Sequence, residues 1–233
     1  MLNESDMSNR ELIKNVIIRT LPVMAGYVVL GAGFGVLMRV NGYGLLIAVL
    51  MSVLIYAGSA QYVGIELITS GASLITATMT TLLVNARHLF YGISMIDHYK
   101  GGGKRKPYLI FALTDETYSL VCDGEGPKGV DKHKYWFLIS LFNQCYWIIG
   151  TVIGSIVGSL IKFNTTGIEF SMTALFVTVF VEQWLSTKEH RPALIGLGAS
   201  ILCLLVFGSE KFLIPAMICI VVLLSLCKKK LAT

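Results

Sequence analysis

Four long stretches of this chain carry no charged side chain: Thr20 to Met38, Val40 to Ile65, Tyr135 to Ile161 and Pro192 to Ser209. Each approaches or exceeds the roughly 18–20 apolar residues that cross a hydrocarbon core. Lipid offers no partner to an open backbone N–H or C=O, so such stretches must be helical. The expected fold class is therefore all-α, a polytopic transmembrane helix bundle. Composition agrees: 14% of residues are charged and 55% hydrophobic, with a mean hydropathy of +0.70, whereas a soluble domain is about a quarter charged. The 23 glycines suit helices that pack closely in lipid.

Apolar segments fall at 16–38, 43–69, 73–96, 107–122, 135–161, 168–185, 192–208 and 212–227, about seven to eight membrane segments once broken or re-entrant helices are allowed. Residues 1–15 read as a polar N-terminal tail, 16–227 as a single transmembrane domain and 228–233 as a basic C-terminal tail. The first long apolar run has no clear cleavage site, so an uncleaved first helix is expected rather than a signal peptide. Lys228-Lys229-Lys230 argues for a cytoplasmic C-terminus. If all eight segments cross, Lys100, Lys104, Arg105 and Lys106 face outward. The segregation of Lys and Arg improves if 107–122 enters and leaves on one side. It improves again, with six crossings, if 43–69 does the same. An internal repeat is also readable: Tyr27-x3-Gly31-x3-Gly35 echoes in Tyr146-x3-Gly150-x3-Gly154, and transporters are often built from repeats. Simple abundance of Gly in membrane helices is the competing explanation.

Polar groups inside these apolar runs are the candidates for chemistry. In Tyr56-Ala57-Gly58-Ser59-Ala60-Gln61, Gly58 weakens the helix, and Ser59 and Gln61 can satisfy a freed backbone. A half-helix starting near Ser59 presents free N–H groups to an anion such as a carboxylate. A close helix crossing through Gly58 is the alternative. Thr78, Thr81, Asn85 and His88 fall at i, i+3, i+7 and i+10, one stripe if their helix is continuous. Arg87 projects from another face. It is expensive in hydrocarbon, and is expected to meet Tyr91, to pair with Asp115 or Glu116, or to hold a substrate carboxylate. Asp115 and Glu116 are adjacent and cannot face the same way, so one can hold Arg87 while the other, or His88, carries a proton.

Other functions find little support. No H-E-x-x-H, G-x-S-x-G or Walker loop is present, so no enzymatic activity is expected. Five cysteines without C-x-x-C spacing suggest packing residues, and neither a metal nor a cofactor is expected. The net charge of +5 lies in loop cations without interleaved aromatics, which speaks for orientation in the bilayer and against nucleic acid.

In order and spacing, Pro22…Gly26-Tyr27…Gly31…Gly33-Phe34-Gly35, then Tyr56-Ala57-Gly58-Ser59-Ala60-Gln61, then Asn85-Ala86-Arg87-His88…Tyr91-Gly92 and Thr114-Asp115-Glu116 resemble the AzlC family of bacterial inner-membrane permeases. The resemblance implies export of branched-chain amino acids, driven by the proton gradient, together with a small AzlD-type membrane subunit. On this reading Gly58, Ser59, Gln61, Asn85 and Arg87 bind substrate, Asp115, Glu116 and His88 handle the proton, and Phe34, Leu54 and Phe111 wall the apolar side chain. The alternatives are a non-transporting subunit whose polar groups bond a partner, and a passive channel.

Overall fold

A computed structural model describes residues 8–124, 126–160, 177, 180–181, 184–185, 189–208, 212, 215–216, 218–220, 222–224 and 226, apart from the Phe90 side chain. The basic tail and most of the expected segments at 168–185 and 212–227 lie outside these residues. The chain forms two units, one of residues 1–77 and 84–165, the other of 78–83 and 166–233. Every described element is a helix.

The first unit is built on two long helices, α1 (Asn9–Val40) and α8 (Lys132–Leu160). These are the two described helices long and apolar enough to cross a bilayer unaided; at ~1.5 Å per residue each exceeds a ~30 Å core. They run parallel. The Lys134 ammonium donates to Asn9 Oδ1 at 2.8 Å and the Tyr135 hydroxyl to Asn15 Oδ1 at 2.8 Å, while Thr20 meets Tyr146 at 3.1 Å further along. Beyond that the backbones touch. A Cβ added to Gly31 would lie 2.6 Å from the Trp147 carbonyl oxygen, one on Gly150 2.6 Å from that of Val28, and Gly154 and Gly158 face Ala32 and Val36. The echoed glycines are thus the two faces of one seam. Only residues without side chains let helices approach this closely.

The other apolar segments of this unit are broken. Segment 43–69 divides into α2 (Leu45–Leu54) and α3 (Gly58–Thr69). Tyr56, between them, takes a left-handed φ of 43°. These two helices are antiparallel, with Gln61 beside Ser52 and Gly64 beside Met51. Segment 107–122 divides into α6 (Lys106–Phe111) and α7 (Asp115–Val121). Pairing with the long helices fixes their sense. α6 rises along α8, from Arg105 at Asp131 to Tyr108 at Gln144. α7 descends along α1, from Thr114 at Tyr27 to Asp123 at Arg19. α2 likewise descends along α8, Ser52 meeting Thr151 and the Val53 carbonyl meeting Gln144.

Segments 43–69 and 107–122 are therefore helical hairpins, each broken near its middle, that point into the first unit from opposite ends.

Segment 73–96 is also split, into α4 (Leu74–Val84) and α5 (Arg87–Met95). α5 descends to the end where α1 and α8 begin, and Met95 and Tyr99 join Leu12, Val16, Leu109 and Trp136 in a buried core there. In the second unit, α9 (Arg191–Phe207) starts with Pro192 in its first turn, where the missing N–H costs nothing. His190 before it stacks on Trp184 at 4.1 Å.

Candidate functional site

Three half-helices begin within reach of one side chain. α3 begins at Gly58, where the Trp147 ring leaves no room for a Cβ (3.0 Å). α5 begins at Arg87 after a tight turn in which His88 N–H bonds the Asn85 carbonyl at 2.9 Å. α7 begins at Asp115, capped by Thr114, whose hydroxyl accepts the Thr117 N–H at 3.2 Å. The first turn of a helix has backbone N–H groups without intrahelical partners. Arg87 links all three starts: its guanidinium pairs with Asp115 and donates to Ser59 Oγ at 2.7 Å. Both members of the ion pair are about two-thirds buried, with side-chain exposures of 34% and 27%.

Glu116 turns the other way. Its carboxylate accepts the Tyr27 hydroxyl at 2.7 Å, and that hydroxyl also lies 2.6 Å from Thr114 Oγ1. Thr114 donates to Thr117 at 3.0 Å, and Asn143 of α8 donates to Thr117 at 3.1 Å. The hairpin tip is thus tied to both long helices. Asp115 takes the cation and Glu116 takes a neutral donor, the division of labour that two adjacent carboxylates require.

An apolar cavity of about 650 Å³ adjoins this junction. It is a half-open groove, with Tyr56, Ala57, Asn85 and His88 at one end, Ile96, Tyr99 and Lys106 at the other, and the largely exposed Leu89, Ile93, Ile110 and Phe111 along its sides. α5 separates two environments, with Arg87 and Tyr91 toward α7 and Asn85, His88 and Leu89 toward the cavity. Asn85 Oδ1 and Arg87 Nε are two of eleven buried side-chain polar atoms that meet no hydrogen-bond partner among the described residues. One is an acceptor and the other a donor, and both stand at the start of α5.

Several sequence expectations are corrected. The Thr78–Thr81–Asn85–His88 stripe is not one helix face, because the helix breaks at Asn85-Ala86 and Thr78 and Thr81 belong to the other unit. Arg87 goes to Asp115 and Ser59 rather than to Tyr91, which stacks on Tyr118 at 4.8 Å. Gln61, two residues from Ser59, points to the opposite side of α3. It is fully buried and donates to Ser52 at 3.2 Å. Phe34 is fully buried between Tyr62 and Trp147, Leu54 is 68% exposed on the outer surface, and of the three expected wall residues only Phe111 lines the cavity. The Ser59, Arg87 and Asp115 expectations converge on one place. Tyr27 was missed as a contact. Its signal was a lone polar tip on a glycine-rich helix face, visible only as part of a spacing.

A model of the AzlC protein family matches residues 22–161, more than half of the chain. The chain is 44% identical to a Bacillus subtilis protein named branched-chain amino acid transport protein AzlC, over 91% of this chain and 84% of that one. An uncharacterized membrane protein of Helicobacter pylori is 42% identical over 94% and 96%. The inner membrane protein YgaZ of Escherichia coli K12 is 27% identical over 75% and 73%. No solved structure matches the chain.

Proposed function

The chain belongs to the AzlC family, and from that premise we propose that it exports branched-chain amino acids across the bacterial inner membrane in exchange for protons. The observation that carries this reading is the Arg87–Asp115 pair held between three half-helix starts. An amino acid is itself a zwitterion. Inserted into an opened Arg–Asp pair, it satisfies both partners: its carboxylate takes the guanidinium and its ammonium takes Asp115. Asn85 Oδ1 and Arg87 Nε, buried without partners, supply a further acceptor and a further donor at that point. The free N–H groups at the start of α3 beside Ser59 favour the same carboxylate. The branched side chain then occupies the apolar cavity past Leu89 and Phe111.

Coupling follows from competition. A proton on Asp115 removes its hold on the ammonium, so proton and substrate exclude each other, and an inward proton gradient drives substrate outward. Glu116, held by Tyr27, and His88, on the cavity wall, are further ionisable groups beside the junction.

Charge supports the direction. Among the described residues of this unit, Arg10, Lys14, Arg19, the cations at 100–106 and those at 128–134 gather at the end where α1 and α8 begin, against Arg39 at the other. The positive-inside rule assigns the crowded end to the cytoplasm. The cavity reaches that end at Ile96 and Lys106, so it loads from inside.

The test is efflux of labelled leucine from vesicles holding the purified chain, with and without an AzlD-type subunit and with an imposed pH gradient. Saturable, gradient-driven efflux lost in Arg87→Ala and in Asp115→Asn supports the reading. Proton-dependent efflux unchanged in both variants overturns it, and flux that never saturates indicates a channel.

A further inference from the structure

Two side chains of the first unit bond to both broken hairpins. Arg87 reaches Ser59 on one and Asp115 on the other. The second is Gln144 of α8, to which the transport reading gives no role. Its Oε1 accepts the Tyr108 hydroxyl at 2.6 Å, and its Nε2 donates to the Val53 carbonyl at 3.2 Å. A carbonyl only accepts, so Val53 fixes which way the amide points, and an amide alone can serve both partners at once. Gln144 is 7% exposed, so losing either bond leaves a polar group stranded. Val53 lies in the last turn of α2, ahead of the break at Tyr56, and Tyr108 lies in α6, ahead of the break before Asp115. Gln144 therefore clamps the two incoming arms of the hairpins, and Arg87 clamps the two returning arms. Each hairpin also has a separate tie to α8, Ser52 to Thr151 and Thr117 to Asn143. Loss of Gln144 would loosen the breaks without detaching the hairpins.

We propose that Gln144 is a positioning residue that sets the gap between Arg87 with Ser59 and Asp115 to the head of an α-amino acid. The inference rests on the transport reading above and adds a selection step to it. When a zwitterion enters the Arg87–Asp115 pair, the returning arms lose their direct link. The Gln144 clamp, which no ligand displaces, then limits how far the arms part. A carboxylate and an ammonium on one carbon fit that gap, and two charges held further apart do not. Head spacing is thus selected separately from the branched side chain.

The experiment uses vesicles holding the purified chain, with efflux of leucine and of β-homoleucine measured against internal concentration. β-Homoleucine has the same side chain and one more methylene between its charges. The wild type is expected to prefer leucine at least about tenfold in half-saturating concentration. Gln144→Met, which keeps the length of the side chain and removes both bonds, should raise the value for leucine about tenfold and that for β-homoleucine less than about twofold. The preference then collapses. Tyr108→Phe keeps the ring against Phe137 at 5.0 Å, removes one bond, and should raise the leucine value about threefold. It serves also if Gln144→Met fails to fold. Added to Gln144→Met, it should have no further effect, because both act through one clamp. A preference that is unchanged in Gln144→Met and Tyr108→Phe, or two values that rise in parallel, would make Gln144 a packing residue and overturn the inference. A wild type that does not distinguish the two substrates overturns it as well, and leaves the transport reading standing. A wild type with no saturable leucine efflux overturns both.

Discussion

The α1–α8 seam and the Arg87 junction solve opposite problems with neighbouring parts of one unit. Along the seam, glycines bring two unbroken helices into backbone contact, each seam glycine of one helix resting on the main chain of the other. At the junction, helices stop short, and side chains replace the missing backbone continuity: Arg87, Asp115, Ser59, Tyr27, Glu116 and Thr114. Packing of the first kind has no alternative arrangement, because a close-packed interface does not deform by degrees. A hydrogen-bonded junction does have one, since each member can exchange a protein partner for a ligand. The seam is suited to serve as frame and the junction as moving part, so damage to the first should cost folding and damage to the second should cost transport.

The sharpest way to break that division is to place bulk in the seam. Gly154→Leu drives a side chain into the Ala32 backbone, and overpacking of this kind costs about 1–3 kcal/mol or more. With rigid backbone on both sides, the upper end or loss of folded protein is expected, read as yield and thermal stability in detergent. A stable, transporting Gly154→Leu would show that the seam opens. Arg87→Ala should do the reverse, with efflux falling about a hundredfold while the protein still folds. Its stability loss tests the junction further. Removing Arg87 alone leaves Asp115 without its cation, so the double variant with Asp115→Ala should be no less stable than Arg87→Ala alone. Additive losses would mean that Arg87 and Asp115 do not depend on each other, and the paired junction would fall.

The two regions were unequally legible in the sequence. The seam was written in Tyr27-x3-Gly31-x3-Gly35 and its echo, but as spacing only. Sequence periodicity shows that two faces are small without showing that they meet, so the echo fitted a repeat and the plain abundance of Gly in membrane helices equally. The hairpin breaks at Gly58 and before Asp115 were readable because glycine and a Thr-Asp-Glu run are poor helix interiors. The break at Asn85-Ala86 was not. Nothing local ends a helix there, and the turn goes with tertiary ties, Arg87 reaching across to Ser59 and Asp115. Tertiary contacts override propensity where a buried charge must find its partner. The same reason hid Tyr27, whose hydroxyl gains meaning only from Glu116 and Thr114 on a helix 87 to 89 residues away in sequence.

Tyr27 stands where the two regions meet, on the seam helix with its tip in the junction, so its removal sharpens the comparison. Tyr27→Phe keeps the ring against Trp147 (5.5 Å) and removes only the donor. The expected loss is about 1–2 kcal/mol for a hydrogen bond to a charged group, with efflux falling about tenfold. Equal loss of stability and of transport would place Tyr27 in both regions. Loss of transport alone would assign its hydroxyl to the moving part.

The smallest effect is expected at the rim, where Arg105 and Asp131 tie the α6 hairpin to the start of α8 at 2.5 Å. Partial burial pushes the Asp131 carboxyl up, but the His133 N–H and the Arg105 guanidinium outweigh it and hold the group below the usual carboxylate range. A depressed carboxyl adds stability that is complete above its unfolded value, near 4, and disappears as pH falls through the lower folded value. Asp131 is half exposed, so solvent screening limits the gain to about 0.5 kcal/mol. Asp131→Asn should therefore lower thermal stability slightly at pH 7, match wild type at strongly acidic pH, and leave leucine efflux unchanged at every pH. A change in the pH profile of efflux would mean that the rim moves with the junction, and the frame would then end at the α1–α8 seam.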